Sequence, residues 1–269
     1  MKKHKLLPLS SVEKYCEYYF ENYNQNNNHR DAWLAIREKR YKEIVDNCFY
    51  LENGAETFKN EVLKFWEGDD YADGYSYGNS KIRKRGGGWV PFQDNNGQTV
   101  NGSEIIRELE ADNLELHGNY SWSMMFMGGD ITVDMQKLRN TLDYLFDESI
   151  AIEERFFEVV NKNGKYKIKG MSHGKASAFL HIKYPDKYGV WNSCTEKAFK
   201  ILNEVDSSEV DSRFKIKGAD NGEKYKKINE QLKWLFETYK KKDKNNNYGF
   251  ENLSDVDIFV WYISNNFLS

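Results

Sequence analysis

Apolar residues recur along this chain at helical spacing, in stripes separated by polar breaks, and proline seldom interrupts them. The prolines are Pro8, Pro91 and Pro185, so long helical patterns survive and the chain reads as mainly α. Ser10-Ser11-Val12-Glu13 offers a helix start, continued by Tyr15, Tyr19 and Phe20 up to the polar run Asn22 to Asn28. His29 to Tyr50 predicts a second helix, with Trp33, Ile36, Ile44, Val45 and Phe49 on one side, and Phe58 to Trp66 a shorter third. Further helices are predicted over Ser103 to Leu116, Met135 to Phe146, Ile150 to Val160, a stretch ending near Tyr184, Ser193 to Val205, Tyr225 to Tyr239 and Asp255 to Phe267.

Asp69 to Gly102 breaks this pattern. It is rich in Gly, Asn, Asp, Ser and Tyr and has no period, so it predicts a long irregular loop with a hairpin near Trp89-Val90-Pro91-Phe92. The chain therefore divides into an N-terminal helical region (1–68), this loop (69–102) and a second helical region (103–269), expected to form one compact two-lobed unit. The loop's centre carries Lys81, Arg83, Lys84 and Arg85, then Gly86-Gly87-Gly88 and Trp89. Cations neutralise phosphates and glycine lets a backbone approach closely, so this is a candidate phosphate-tracking arm. A solvated surface loop is the alternative.

Composition sharpens this only in part. Apolar residues are 39% and charged residues 30%, enough for a packed core under a solvated surface. The aromatic share of 15% serves either a core built from rings or surfaces that stack on bases. Net charge is −3, so any nucleic-acid contact must be local rather than a property of the whole chain. Cys16, Cys48 and Cys194 show neither metal-ligand spacing nor a disulfide framework, which suits the cytoplasm. The basic start, Met1 to Leu9, lacks the apolar run of a signal peptide, and no stretch approaches a membrane span. No metal site and no cofactor motif is legible; Arg85-Gly86-Gly87-Gly88 lacks the Lys-Ser/Thr of a nucleotide-binding loop.

The segment most suggestive of chemistry is Ile168-Lys169-Gly170-Met171-Ser172-His173-Gly174-Lys175-Ala176-Ser177-Ala178-Phe179-Leu180, followed by Tyr188-Gly189-Val190-Trp191-Asn192-Ser193. A glycine-bounded turn leads into a helix opened by a lysine. A helix start presents backbone N–H groups and partial positive charge, a natural phosphate site, and the glycines Gly170 and Gly174 permit an unusual backbone. Gly170, Met171, Ser172, His173, Gly174 and Ser193 are the candidate phosphate contacts. Such contacts position a protein on DNA without reading its sequence. In the alternative reading the turn is purely structural and Lys175 is a solvated first-turn lysine.

These residues, over Phe156 to Leu202, resemble the helix-hairpin-helix segment of base-excision DNA glycosylases. Gly170-Met171 matches the start of that family's turn; its second glycine is displaced to Gly174 by Ser172 and His173. The resemblance implies a two-lobed helical glycosylase-like fold that binds duplex DNA as a monomer and flips a modified base into an aromatic pocket. Trp89, Trp122 and Trp191 are then the stacking candidates. Lys175 takes the place of the lysine that, in bifunctional members, attacks the sugar. Where the family carries an aspartate, seventeen residues after Lys175, this chain has Asn192. An amide cannot act as a base, so Asp186 or Asp130 would have to supply the charge, or Asn192 would position water. The expectation is a monofunctional glycosylase, needing no cofactor, with modified phage DNA among its candidate substrates. The alternatives are a non-catalytic DNA or modified-base reader, which Asn192 favours, and a helical interaction protein that binds no nucleic acid.

Overall fold

The computed structural model describes residues 5–22, 81–82, 92–93, 99–100, 135–205, 213–243 and 250–268. Among them are seven helices: α1 (Val12–Asn22), α2 (Met135–Phe146), α3 (Ile152–Val160), α4 (His173–Lys183), α5 (Ser193–Val205), α6 (Asn221–Lys242) and α7 (Leu253–Asn266). The mainly α class is thus observed, and α2 and α5 span the stretches that periodicity predicts. The helices expected over 29–50, 58–66 and 103–116 lie outside the described residues.

The chain divides into two compact units. One comprises Asn28–Leu142 with Ile168–Met171. In it the segment expected to be a loop carries three short strands, β1 (Lys81–Ile82), β2 (Phe92–Gln93) and β3 (Thr99–Val100), as an antiparallel meander. Ile82 pairs with Phe92, and Phe92 in turn with Val100.

The other unit, Met1–Asn27, Asp143–Lys167 and Ser172–Ser269, is helical among its described residues. Its inner helices are α4 and α7. Helix α4 buries every residue from Ala176 to Ile182, and α7 buries Ile258 through Ser264 without a break. A helix apolar on all sides belongs inside a protein. The outer helices are one-sided. Helix α6 buries Tyr225, Ile228, Leu232, Leu235 and Tyr239, and α5 buries Ala198, Phe199, Ile201 and Leu202. Helix α3 packs on α6, and α5 on α7.

The aromatic richness builds this core. Tyr239 stacks on Phe250 at 4.8 Å and meets Phe259 edge-on at 4.2 Å, while Tyr19 on α1 sits edge-on to Phe259 and Tyr262. Local signals set the helix starts. Asp220 caps α6 by accepting from Glu223 N at 3.0 Å. Asn252 and the fully buried Asp255 form a reciprocal capping box on α7. Among the described residues, no helix is long and apolar enough to cross a membrane.

Candidate nucleic-acid interface

The connection from α3 to α4 is twelve residues long, 161–172, not the short turn expected between two directly joined helices. It first folds back over the end of α3. Tyr166 N donates to Glu158 O at 3.1 Å, and Lys167 Nζ donates to Val160 O at 2.8 Å, so Lys167 serves as a cap for the exposed carbonyls. Burial pushes the Lys167 ammonium below its ordinary value. Farther on, Met171 N closes a turn on Ile168 O at 3.2 Å, with Gly170 third at φ 83°. That left-handed position calls for glycine. Met171 is buried, and Ser172 then caps α4 by accepting from Lys175 N at 3.4 Å.

Gly174 differs from the expectation. It lies in the first turn of α4, and only Gly170 among the described glycines has a positive φ. A Cβ added at 174 would stand 3.5 Å from Trp191 O and 3.9 Å from the Ser172 hydroxyl, ordinary contacts. The glycine at 174 is therefore not demanded by its backbone.

The phrase Pro185 to Asn192 connects α4 to α5, and much of it is buried. A buried loop must satisfy its backbone polar groups, and here other elements do so one by one. Pro185 O accepts from Leu253 N, and Lys187 O from Asn229 Nδ2. Gly189 N donates to Asn229 Oδ1 at 2.8 Å, and Gly189 O accepts from the Tyr225 hydroxyl at 2.9 Å. Trp191 N donates to Ser177 Oγ at 2.9 Å, and Val190 O accepts from Thr195 Oγ1 at 2.7 Å. Tyr188 O faces His181 Nδ1 at 2.7 Å. Because a carbonyl only accepts, that nitrogen carries the proton, and Nε2 accepts from Ser254 Oγ at 2.9 Å. The buried Arg155 donates to Leu145 O and to the Tyr188 hydroxyl, whose own partner is Glu148.

This clamp decides the fate of several candidate residues. Trp191 is 3% exposed, with the His173 ring stacked on it at 4.3 Å and Phe156 at 6.0 Å. Its ring belongs to the core and offers no platform for a flipped base. Asn192 is the cap of α5: its Oδ1 accepts from Cys194 N at 2.9 Å and Thr195 N at 3.0 Å. That explains an amide here without chemistry, since asparagine is among the best N-caps. Asn192→Ala is expected to lower stability by about 1 kcal/mol in a denaturant melt, and Asn192→Asp to leave it unchanged. Asp186 is exposed and follows the end of α4 opposite Lys175, about 12 Å farther along the axis at ~1.5 Å per residue. It is no partner for that lysine. Ser193 is exposed at the start of α5, and Lys175 is partly exposed in the first turn of α4. Arg83, Lys84, Arg85, Trp89, Trp122 and Asp130 lie outside the described residues.

Two helix starts nonetheless converge. The contact between position 174 and Trp191 O, with the Ser177–Trp191 bonds, sets the first turn of α4 against the residues that open α5. A carboxylate unnoticed in the sequence lies beside them. Glu196 Oε1 accepts from Trp191 Nε1 at 2.9 Å, and its charge favours protonation of His173. Burial dominates at His173, with Lys167 adding to it, and the imidazole is held below its ordinary value. A second missed feature needed only a charge count. Val159 to Pro185 contains six lysines, Lys162, Lys165, Lys167, Lys169, Lys175 and Lys183, and no carboxylate. Lys162 and Lys165 are exposed on the connection.

Among the described residues, no group of three or more His, Cys, Asp or Glu side chains is placed to hold a metal ion. No protein-family model, curated protein or solved structure matches the chain.

Proposed function

We propose that this protein binds duplex DNA through the phosphate backbone, with Lys162 and Lys165 on the connection and Lys175 in the first turn of α4 as its contact surface. The observation that carries the proposal is the charge pattern: a carboxylate-free run of six lysines inside a chain of net charge −3, running into a helix start. Such a surface attracts a polyanion locally while the rest of the molecule stays acidic. The protein acts as a monomer in the cytoplasm and reads no base sequence through these contacts. Titrating labelled duplexes of unrelated sequence by fluorescence anisotropy tests this. Similar affinities that fall steeply with salt are expected; no binding at low salt refutes the proposal.

The contact of the first turn of α4 with Trp191, whose indole donates to Glu196, favours a second reading, a helix-hairpin-helix glycosylase-like reaction on a flipped, modified base, with modified phage DNA among the substrates. In that reading Glu196, rather than Asn192, supplies the carboxylate that stabilises the cationic sugar, and water takes the base's place to leave an abasic site. Base release without borohydride-trapped crosslinks is expected, as is a loss on the order of 10²-fold in Glu196→Gln. Crosslinking that disappears in Lys175→Ala makes Lys175 the nucleophile instead. Binding without abasic sites on any modified duplex leaves the protein a reader.

A further inference from the structure

On the connection after α3, and away from the α4 start, two tyrosines stack face to face. The rings of Tyr144, in the last turn of α2, and Tyr166 lie 4.0 Å apart at 14°. Both are partly exposed, unlike the core rings around Tyr239. Tyr166 stands between Lys165 and Lys167, and the Lys165 ammonium lies over its ring at 5.3 Å from the centroid. The backbone beneath is held firmly: Tyr166 N donates to Glu158 O, and Lys165 N to the Glu158 carboxylate at 2.5 Å. On the far side, the Tyr144 hydroxyl donates to Glu154 at 3.4 Å. Glu154 therefore lies at the Tyr144 side, the Glu158 carboxylate is engaged by the backbone beneath Tyr166, and the exposed Lys165 cation lies over the Tyr166 ring.

We infer that the Tyr144–Tyr166 stack is a platform for one unpaired DNA base, with Lys165 shifting from the ring to a neighbouring phosphate as the base arrives. The inference rests on the DNA-binding reading above and adds a substrate class to it: DNA with an unpaired base, as at a bulge or a single-stranded end. Three physical points support it. A base and a tyrosine ring attract through their faces whatever the base. Tyr144 behind Tyr166 orders the ring in advance, which lowers the entropy lost on binding. The ammonium already on the ring has a better partner in a phosphate, a full charge rather than a quadrupole. Glu154, at the Tyr144 hydroxyl, disfavours a phosphate there and directs the strand toward the Lys165 ammonium, while the Glu158 carboxylate is already engaged by Lys165 N.

The test compares two labelled DNAs on the full chain by anisotropy: a plain duplex, and the same duplex with a short unpaired bulge. Wild-type protein should prefer the bulged DNA on the order of tenfold, the scale of one base–aromatic stack. Tyr166→Leu should abolish the preference while the salt dependence of duplex binding stays as in wild type, and Tyr166→Phe should retain it. Equal wild-type affinity for the two DNAs, with salt-dependent duplex binding intact, overturns this inference alone. No binding to either DNA overturns it together with the DNA-binding reading. A preference undiminished in Tyr166→Leu also overturns it. The wild-type comparison needs no variant, so a leucine variant that misfolds does not spoil the test.

Discussion

Replacing Lys162, Lys165 and Lys175 together with glutamine should flatten the salt dependence of duplex binding. Each phosphate contact contributes about 0.9 to the log–log slope, so three contacts account for about 2.7. Extrapolated from molar salt, that corresponds to an affinity loss on the order of 10²- to 10³-fold at about 0.1 M salt. The effect should be nearly the same for every duplex sequence, since these side chains are expected to meet the backbone and not base edges. Folding should be little changed, because Lys162 and Lys165 are exposed and Lys175 is partly so, and surface charges count for little in stability. Lys167 is left in place, since its ammonium caps α3. A slope equal to that of wild type shows that the lysines face solvent and removes the basis of the proposed function.

The second large effect is on stability, and it separates two glycines that look alike in sequence. Both Gly174 and Gly222 lie in the first turn of a helix, and by propensity alone alanine improves either by up to about 1 kcal/mol. At Gly222 a Cβ would run into the backbone carbonyl of Glu153, where α6 crosses the start of α3. Backbone on both sides gives way poorly, and overpacking of this kind costs about 3 kcal/mol. The net expectation for Gly222→Ala is a loss of about 2 kcal/mol, or a Tm lower by roughly 4–8 °C for a chain of this size. Gly174→Ala should instead be neutral or stabilising, since its new methyl group meets only ordinary contacts. Thermal melts of the two variants decide the matter; a Gly222→Ala protein as stable as wild type shows that the helices do not meet so closely.

The same contrast marks what was legible in the site. Lys175 at the start of a helix followed from the glycine-bounded turn before it and the apolar run behind it, because helix starts are marked locally. Trp191, expected as a stacking surface, is buried instead. A tryptophan in a stretch between two helices carries no local sign of burial, and only the packing of His173 and Phe156 against it shows that it is buried. Asp186 is one of two carboxylates expected to stand in for the charge that Asn192 lacks, but α4 places it at the end of the helix opposite Lys175. Nothing in a helix-start sequence says that the Glu196 carboxylate turns back to the Trp191 indole. The lysine run needed no structure at all, only attention to which charges are missing between Val159 and Pro185.

By itself the sequence determined the mainly helical class and the spans of α2 and α5, and came close for α3, α6 and α7. Those features depend on spacing of apolar residues, scarcity of proline and local caps, all written within a few residues of each other. The tertiary structure alone decided that α4 and α7 lie inside, that aromatic residues of α1, α6 and α7 join in one cluster, and that Pro185 to Asn192 is a clamped internal loop. Those outcomes depend on partners far away in the chain: Asn229 and Tyr225 for Gly189, Ser254 for His181, Glu153 for Gly222. A polar residue in a loop carries no local sign of whether water or a distant carbonyl will satisfy it, and so the same letters serve a binding site or a core until the chain has folded.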